Sequence, residues 1–228
     1  PDASPVHAVT FGYSMVFGKY EVKRSDWAAY SMIAPNPGEE NLPVVNVTWF
    51  DAIKYCNFLS ANRGLAAAYN ETTGALLRKD GSETLDIRLV EGYRLPTESE
   101  WEYMARELGT KNGSQYPGGV SDPATIAVYA TNAAAAVGSK TPTAQFMYDL
   151  SGNAAEWCHD RYGTYPSVSQ SQPIGPLTGV NRIVRGGCFT NEITNSPNLL
   201  LPSARYSLDP ATKNIQTGFR IVRTVLAQ

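Results

Sequence analysis

Apolar spacing and capping residues predict the two main helices of the chain. Between residues 49 and 64 apolar residues fall three and four positions apart, which predicts an amphipathic helix. Thr48 is placed to cap the start of this helix, and Gly64 is placed to end it. Thr97 is followed three residues later by Glu100, a capping-box sequence, so a second helix is predicted to begin there.

Other stretches predict strands, turns and loops. Residues 8–22 alternate well enough to form an opening strand or hairpin, and Ser25 is the predicted N-cap of the short helix that follows. Residues 66–92 predict a small hairpin with glycine-containing turns. Prolines and glycines predict a loop at 34–43 and a long irregular connection at 109–143.

The segment from Ile183 to Arg223 changes character in its middle. Both of its ends alternate like strands and carry turn glycines and arginines. Between them, residues 190–217 are polar and irregular, with asparagine at 191, 195, 198 and 214. Because Asn, Ser and Pro compete with or interrupt regular structure, neither a long helix nor a clean strand is predicted here. A polar irregular segment between two strands is typical of a binding surface on a rigid scaffold.

Length and composition limit the class of protein. The 228 residues suit one large domain, and no linker or repeat requires a boundary, so we predict a single domain over 1–228. Charged residues make up 18% and the net charge is −2, so nothing indicates a nucleic-acid partner. No run of about 18 apolar residues exists, so no membrane-spanning segment is predicted. The three cysteines lack metal-site spacing, and we expect buried free thiols, with one disulfide as the alternative.

Five sequence motifs occur in an order that is distinctive as a set. They are VVNVTW at 44–49, YRLPTESEWEY at 93–103, DLSGNAAEW at 149–157, RGG at 185–187 and GFR at 218–220. Together they resemble the formylglycine-generating enzyme (sulfatase-modifying factor) family, over about residues 8 to 225. The resemblance implies an α+β fold of the elaborated C-type-lectin-like type, with small antiparallel sheets, two main helices and much irregular loop.

The chain departs from the catalytic members of that family. Those members resemble one another in a cysteine pair just after the Arg-Gly-Gly turn, which is understood to bind copper. Counted from Arg185, the two positions fall at about Asn191 and Ser196, and a slip of one residue gives Glu192 and Pro197. An amide and a hydroxyl cannot supply the thiolates that suit Cu(I). We therefore expect no copper and predict that the protein is not an enzyme.

The loop before Trp157 is a candidate structural calcium site. Asp149 and Glu156 are hard oxygen donors, and Gly152 and Ala154 supply carbonyls between them, a donor set that suits Ca²⁺. The arrangement also resembles a calcium site of the family. The alternative is that Glu156 pairs with an arginine and the loop is held by its own hydrogen bonds.

Other chemistry has weaker support in the sequence. His159 has no activated nucleophile signalled near it, so we interpret it as a packing or surface residue. Glu98 and Glu102 share a helix face with Arg94 and Arg106 nearby, which favours ion pairs in the first turn over a pair of catalytic carboxylates. Trp157, which follows a tight loop, is predicted to lie in the core.

The resemblance also gives a more specific binding hypothesis. The chain is similar to treponemal variable proteins of diversity-generating retroelements, in which adenine-directed mutagenesis rewrites a cassette from near an Arg-Gly-Gly turn to a Gly-Phe-Arg strand. Here that cassette would be residues 183–223. The predicted ligand-binding residues are Thr190, Asn191, Glu192, Ile193, Asn195, Asn198, Leu200 and Tyr206.

This hypothesis carries expectations about partners and location. The ligand is expected to be a protein or surface molecule, bound by a monomer at the cell surface or outside the cell and lipid-anchored upstream of residue 1. The alternatives are an invariant structural or binding member of the family, or a residual oxidase acting on sulfatase cysteines.

Overall fold

Helices and short strands alternate with long ordered loops in the computed structural model, which describes residues 3–110, 116–192 and 198–225. The helices are α1 (Arg24–Ser31), α2 (Trp49–Ala61) and α3 (Glu98–Ala105). The strands are β1 (Val9–Thr10), β2 (Ser14–Phe17), β3 (Leu76–Leu77), β4 (Glu83–Thr84), β5 (Tyr93–Arg94), β6 (Ala155–Arg161), β7 (Gln170–Ser171), β8 (Arg182–Arg185), β9 (Arg205–Leu208), β10 (Thr217–Gly218) and β11 (Val222–Val225).

The two predicted capping residues do begin helices. At α2 the Asp51 amide donates to Thr48 Oγ1 over 2.9 Å, and the Thr48 amide donates to Asp51 Oδ2 over 3.0 Å. At α3 Thr97 and Glu100 exchange the same pair of bonds, at 3.2 and 2.8 Å. Both predictions are confirmed. These caps could be predicted because a capping box uses only residues within one turn of each other. Helix α2 ends at Ala61, slightly earlier than predicted.

The predicted cap of the first helix is wrong. Helix α1 begins at Arg24, and its N-cap residue Lys23 makes no side-chain capping bond. Backbone carbonyls of the chain at 39–42 cap the helix instead: the Arg24 amide donates to the Leu42 carbonyl, and the Ser25 amide donates to the Glu40 carbonyl. Backbone carbonyls from a neighbouring loop thus satisfy free amides that a serine side chain would otherwise cap.

Two of the sheets join distant parts of the sequence. One has four strands in the order β10-β6-β8-β9, and another has three in the order β2-β11-β5. The opening strands do not form a hairpin with each other, because β1 pairs parallel with β7 and β2 pairs antiparallel with β11. The hairpin predicted within 66–92 is confirmed as the antiparallel pair of β3 and β4.

The four-stranded sheet separates two apolar cores. Successive residues of β6 enter different cores, Trp157 packing with α2 and Cys158 with the Trp101 face of α3. On β8, Val184 and Ile183 divide in the same way. Because both faces are covered, these strands are buried almost throughout instead of alternating. Trp157 lies fully in the core, as predicted.

Two further predictions can be compared with the fold. Cys56, Cys158 and Cys188 are free and buried, which confirms the interpretation as core thiols. Among the described residues, no helix has both the length and the apolar character needed to cross a membrane.

Candidate ligand-binding surface

Buried ion pairs hold the ends of the predicted binding segment. Arg185, the last residue of β8, and Arg205, the first of β9, both bind Glu98 at the start of α3. Arg205 Nε and Nη2 donate to the two oxygens of Glu98 over 2.7 Å each, and Arg185 Nη1 donates to Oε1 over 3.1 Å. These side chains are 5% exposed or less, so the contacts are made away from solvent. Helix α3 therefore sets where the segment leaves and re-enters the sheet.

Arg185 also holds the returning chain directly. Its guanidinium donates to the carbonyls of Pro202 and Ser203, and it forms a second ion pair with Glu102. Although burial opposes ionisation of Glu102, Arg185 and Arg106 hold the pKa of its carboxyl below the usual value. The interpretation of Glu98 and Glu102 as ion-pair partners is confirmed, but of the two nearby arginines only Arg106 takes part, by pairing with Glu102.

At the far end of the segment, Arg220 forms a bidentate pair with Glu156. Both nitrogen–oxygen distances are 2.6 Å, and neither side chain is exposed. Trp101 Nε1 donates to Glu156 Oε2 over 2.7 Å. The motif residues of β6, α3 and the Gly-Phe-Arg strand thus meet in one buried contact.

This pairing bears on the candidate calcium site. Glu156 is used by Arg220 and does not fit as a calcium ligand, because a cation there would have to displace the guanidinium. Asp149 keeps one buried oxygen, Oδ1, without a partner, while its Oδ2 accepts from the Gly138 amide. Burial raises the pKa of Asp149 to about 6. Four residues, Asp149, Gly152, Ala154 and Glu156, were predicted as ligands; the set does not fit as a whole, and calcium binding stays a prediction.

The turn after β8 is built from two left-handed glycines and one asparagine. Gly186 and Gly187 have φ of 88° and 66°. A Cβ on Gly187 would lie 2.9 Å from Asn191 Oδ1, so glycine is required for close approach. That oxygen accepts from the Cys188 amide over 2.8 Å. Asn191 therefore shapes the turn, which differs from its predicted role as a ligand contact.

The other predicted binding residues fall into three environments. Thr190 and Glu192 are exposed, and Thr190 Oγ1 accepts from Gln216 Nε2 over 2.9 Å. Asn198 is half-buried and donates to the Tyr116 hydroxyl over 2.9 Å. Ile193 and Asn195 lie outside the described residues.

Leu200 and Tyr206 belong to the core more than to the surface. Leu200 is fully buried, so its prediction as a ligand contact is wrong; its carbonyl accepts from Ser151 Oγ, which fixes the chain inward. Tyr206, on β9, is half-buried and packs against the main core. Burial raises the pKa of the Tyr206 phenol, so it is neutral at physiological pH.

The structure adds surface residues that the sequence analysis did not name. Gln216 reaches Thr190, and Ile215 beside it is 67% exposed. Thr131 is exposed and lies against the turn, since its amide donates to the Phe189 carbonyl over 2.8 Å. Tyr116, like Thr131, lies in the irregular connection predicted at 109–143. An aromatic residue in that connection was the one sequence feature that could have indicated a role in binding.

Comparison with known proteins bears on the origin of this framework. The family model described as "Sulfatase-modifying factor enzyme 1-like domain" matches residues 4–225. The chain belongs to this family. By sequence it is 30% identical to "Chaperone protein LppX" of Paenibacillus barcinonensis over 91% of this chain and 79% of that protein. It is 28% identical to "Formylglycine-generating enzyme" of Thermomonospora curvata over 84% and 60%.

Family members differ in length and overall make-up. The chain is 30% identical to "Serine/threonine-protein kinase pkn1" of Chlamydia pneumoniae over 83% of its own length, yet it spans 25% of that protein. Among solved structures it is similar to "Treponema denticola variable protein 1", with a TM-score of 0.79, 25% identity and coverage of 96% and 87%. The predicted family and its elaborated C-type-lectin-like α+β fold are confirmed.

Proposed function

We propose that the protein is a non-catalytic binding protein of the sulfatase-modifying factor family. Its ligand would contact a surface formed by Thr190, Asn198 and the loop 213–216, together with the adjoining connection at Tyr116 and Thr131. We further propose that a retroelement diversifies surface positions within residues 183–223, and that the protein is displayed at the cell surface through a lipid anchor.

The observation that carries this proposal is where the segment is anchored. The carboxylates that bind Arg185, Arg205 and Arg220 lie on α3 and β6, outside residues 190–217. Exposed side chains such as Ile215 take no part in these pairs. A surface residue can therefore change without removing the contacts that position the backbone, which is the requirement for a variable binding site.

The same framework argues against the oxidase chemistry. The chain has three cysteines, and Cys56 and Cys158 are buried in separate cores. Cys188 sits in the turn with its sulfur 3.3 Å from Thr190 Oγ1. Asn191, at the first expected copper position, uses its side-chain oxygen within the turn. The similarity to a treponemal variable protein supports a binding role over formylglycine generation.

A display library tests the proposal at the level of the fold. One library randomises Thr190, Lys213, Ile215 and Gln216, and a matched library randomises Arg185, Arg205 and Arg220. We expect most members of the first library to be displayed folded, and some to bind a chosen purified protein after selection. Members of the second library should be retained as folded protein only rarely. Equal loss of folded protein from both libraries would contradict the proposal.

Two further tests address diversification and catalysis. A near-identical copy of the coding sequence for 183–220 beside a reverse transcriptase, differing mainly at adenines, would support the retroelement origin. Incubation with copper and a sulfatase-motif peptide is expected to leave the peptide cysteine unchanged by mass spectrometry. Appearance of an aldehyde would overturn the non-catalytic assignment.

A further inference from the structure

A cavity of about 500 Å³ opens at the other end of strand β8 from the Arg-Gly-Gly turn. The β3–β4 hairpin forms one wall, and the end of β6 and the loop at 174–177 form the others. Arg182, the first residue of β8, lies at its base together with His159. The cavity lies apart from the surface proposed to bind the variable ligand.

Arg182 is held rigidly but lacks a carboxylate partner. The residue is 4% exposed, and its guanidinium carbon lies 3.6 Å from the centre of the Trp49 ring. Nη1 donates to the His159 carbonyl over 2.6 Å. Within the described part of the chain, Nε and Nη2 have no hydrogen-bond acceptor, and no carboxylate lies within 4.0 Å. The buried Asp160 acts on the guanidinium only through its charge at longer range. The free edge is the one that a carboxylate binds through two parallel hydrogen bonds.

Arg182 differs from the other buried arginines of the described residues in having no ion-pair partner. Of the buried arginines in the described residues, four are paired with a buried or half-buried carboxylate, namely Arg94, Arg185, Arg205 and Arg220. Arg182 is the fifth. A buried charge without a partner is strongly unfavourable, so a fold that pairs its other buried guanidiniums leaves this site suited to an external anion.

The charge around Arg182 supports the same conclusion. Arg161 and Arg78 line the cavity, and the acid among the lining residues is Glu83, which is exposed. Burial and the neighbouring Arg161 lower the pKa of Arg182 to about 10, so the guanidinium remains charged at neutral pH. Burial and Arg182 lower the pKa of His159 well below its usual value, so the imidazole is neutral.

The imidazole of His159 is a second polar group of the lining that lacks a partner among the described residues. His159 is 6% exposed, and its Nδ1 is buried without a hydrogen-bond partner in the described residues. The ring packs near Trp49 and Tyr69, with ring centres 6.4 and 5.7 Å away. A neutral imidazole can donate one hydrogen bond to an anion.

The walls of the cavity are partly apolar. Leu76 is buried, Ile174 is half-buried and Leu177 is 60% exposed, and all three line the space. Gly74 closes over the guanidinium: a Cβ there would lie 2.7 Å from the Trp49 ring and 3.0 Å from Arg182 Nη2. A charged base with apolar walls is the usual arrangement of a small-molecule pocket.

We propose that this cavity binds a small organic carboxylate. Its carboxylate pairs with the free Nε–Nη2 edge of Arg182, and its apolar part contacts Leu76, Ile174 and Leu177. The site is independent of the variable surface, because it lies on framework residues outside 190–217.

Isothermal titration with benzoate tests the proposal, with benzamide as the neutral analogue of the same shape. We expect one saturable site for benzoate and none for benzamide. Arg182→Gln should weaken benzoate binding by at least about tenfold, the value of a charge-assisted pair. Arg63→Gln, which removes an exposed arginine that does not line the cavity, should leave affinity unchanged.

A second variant covers the case in which Arg182→Gln fails to fold. Leu177→Glu places a carboxylate on the lining at an exposed position and should weaken benzoate binding severalfold through charge repulsion. The proposal is overturned if the wild type shows no saturable benzoate binding or if benzamide binds equally well. It is also overturned if folded Arg182→Gln or Leu177→Glu protein binds benzoate as the wild type does. Tighter binding of inorganic phosphate than of benzoate would overturn the assignment to an organic carboxylate.

Discussion

Replacing Glu98 by glutamine removes the charge that two buried arginines share. The carboxylate accepts three hydrogen bonds from Arg185 and Arg205, and all three side chains are at most 5% exposed. Glutamine has nearly the same shape and retains one oxygen. Its amide group, however, presents N–H donors to a guanidinium that has only donors of its own.

The size of the effect follows from burial. Removing one partner of a buried ion pair destabilises a protein by about 3–5 kcal/mol, because it leaves an uncompensated buried charge. The retained glutamine oxygen favours the lower end, so we expect a loss of about 3 kcal/mol in the free energy of unfolding. That is a large part of the roughly 5–15 kcal/mol that stabilises a typical domain.

Urea unfolding followed by tryptophan fluorescence measures this loss. Trp101 is a suitable reporter, since its ring centre lies 5.2 Å from the Arg185 guanidinium carbon. With a slope of about 3 kcal/mol per molar urea, the midpoint should fall by about 1 M. Glu39→Gln is the matched control, because the Arg24–Glu39 pair is about a third exposed on each side and contributes less than about 1 kcal/mol.

The two variants are expected to differ in stability because one ion pair is buried and the other is partly exposed. If Glu98→Gln loses no more stability than Glu39→Gln, burial of the arginine–carboxylate contacts does not hold the ends of the binding segment. Residues 190–217 would then lack the rigid support that the proposed binding function requires.

Three more predictions concern pH, the turn and calcium. Burial and Glu98 raise the pKa of Asp160 to about 8, whereas the pKa in the unfolded chain is near 4. The stability that this carboxyl contributes is therefore full below about pH 4 and is lost as the pH rises through 8. Asp160→Asn should reduce the difference in unfolding free energy between pH 5 and pH 8.5, measured by urea titration, by more than about 1 kcal/mol. If the variant shows the same dependence of stability on pH as the wild type, other groups are responsible for it. In calorimetry, Asn191→Ala should lower the thermal midpoint by several degrees, because the loss of a turn hydrogen bond costs about 1 kcal/mol. Ile215→Ser should change the midpoint by no more than about one or two degrees. Equal shifts in the two variants would contradict the division between turn and surface residues. Because Arg220 occupies Glu156, EGTA should leave the thermal midpoint unchanged, whereas a lower midpoint in EGTA than in Ca²⁺ would support the calcium prediction.

Local hydrogen bonds explain what could be predicted from the sequence by itself. The caps at Thr48 and Thr97 each join residues three positions apart, so their partners are visible in the primary order. The hairpin of β3 and β4 is similarly local, and the order of motifs indicated the family and fold. The burial of free cysteines also followed from residue type.

The tertiary structure decided which distant residues meet. Arg205 and Glu98 are 107 positions apart, and no periodicity links them. Leu200 reads as a surface leucine in a polar stretch, yet the pairing of β8 with β9 draws the chain before β9 into the core. The start of α1 was missed for the same reason, since a loop carbonyl replaced a local side-chain cap.

Sequence determined the residue types available to the binding segment, and the fold determined which of them reach solvent. Asn191 and Thr190 are neighbours, but one closes a turn and the other faces outward. That Arg182 forms no ion pair within the described part of the chain, unlike the other buried arginines there, is equally a property of the packed chain. The physical reason is that short-range hydrogen bonds depend on adjacent residues, whereas burial and charge pairing depend on surfaces brought together only on folding.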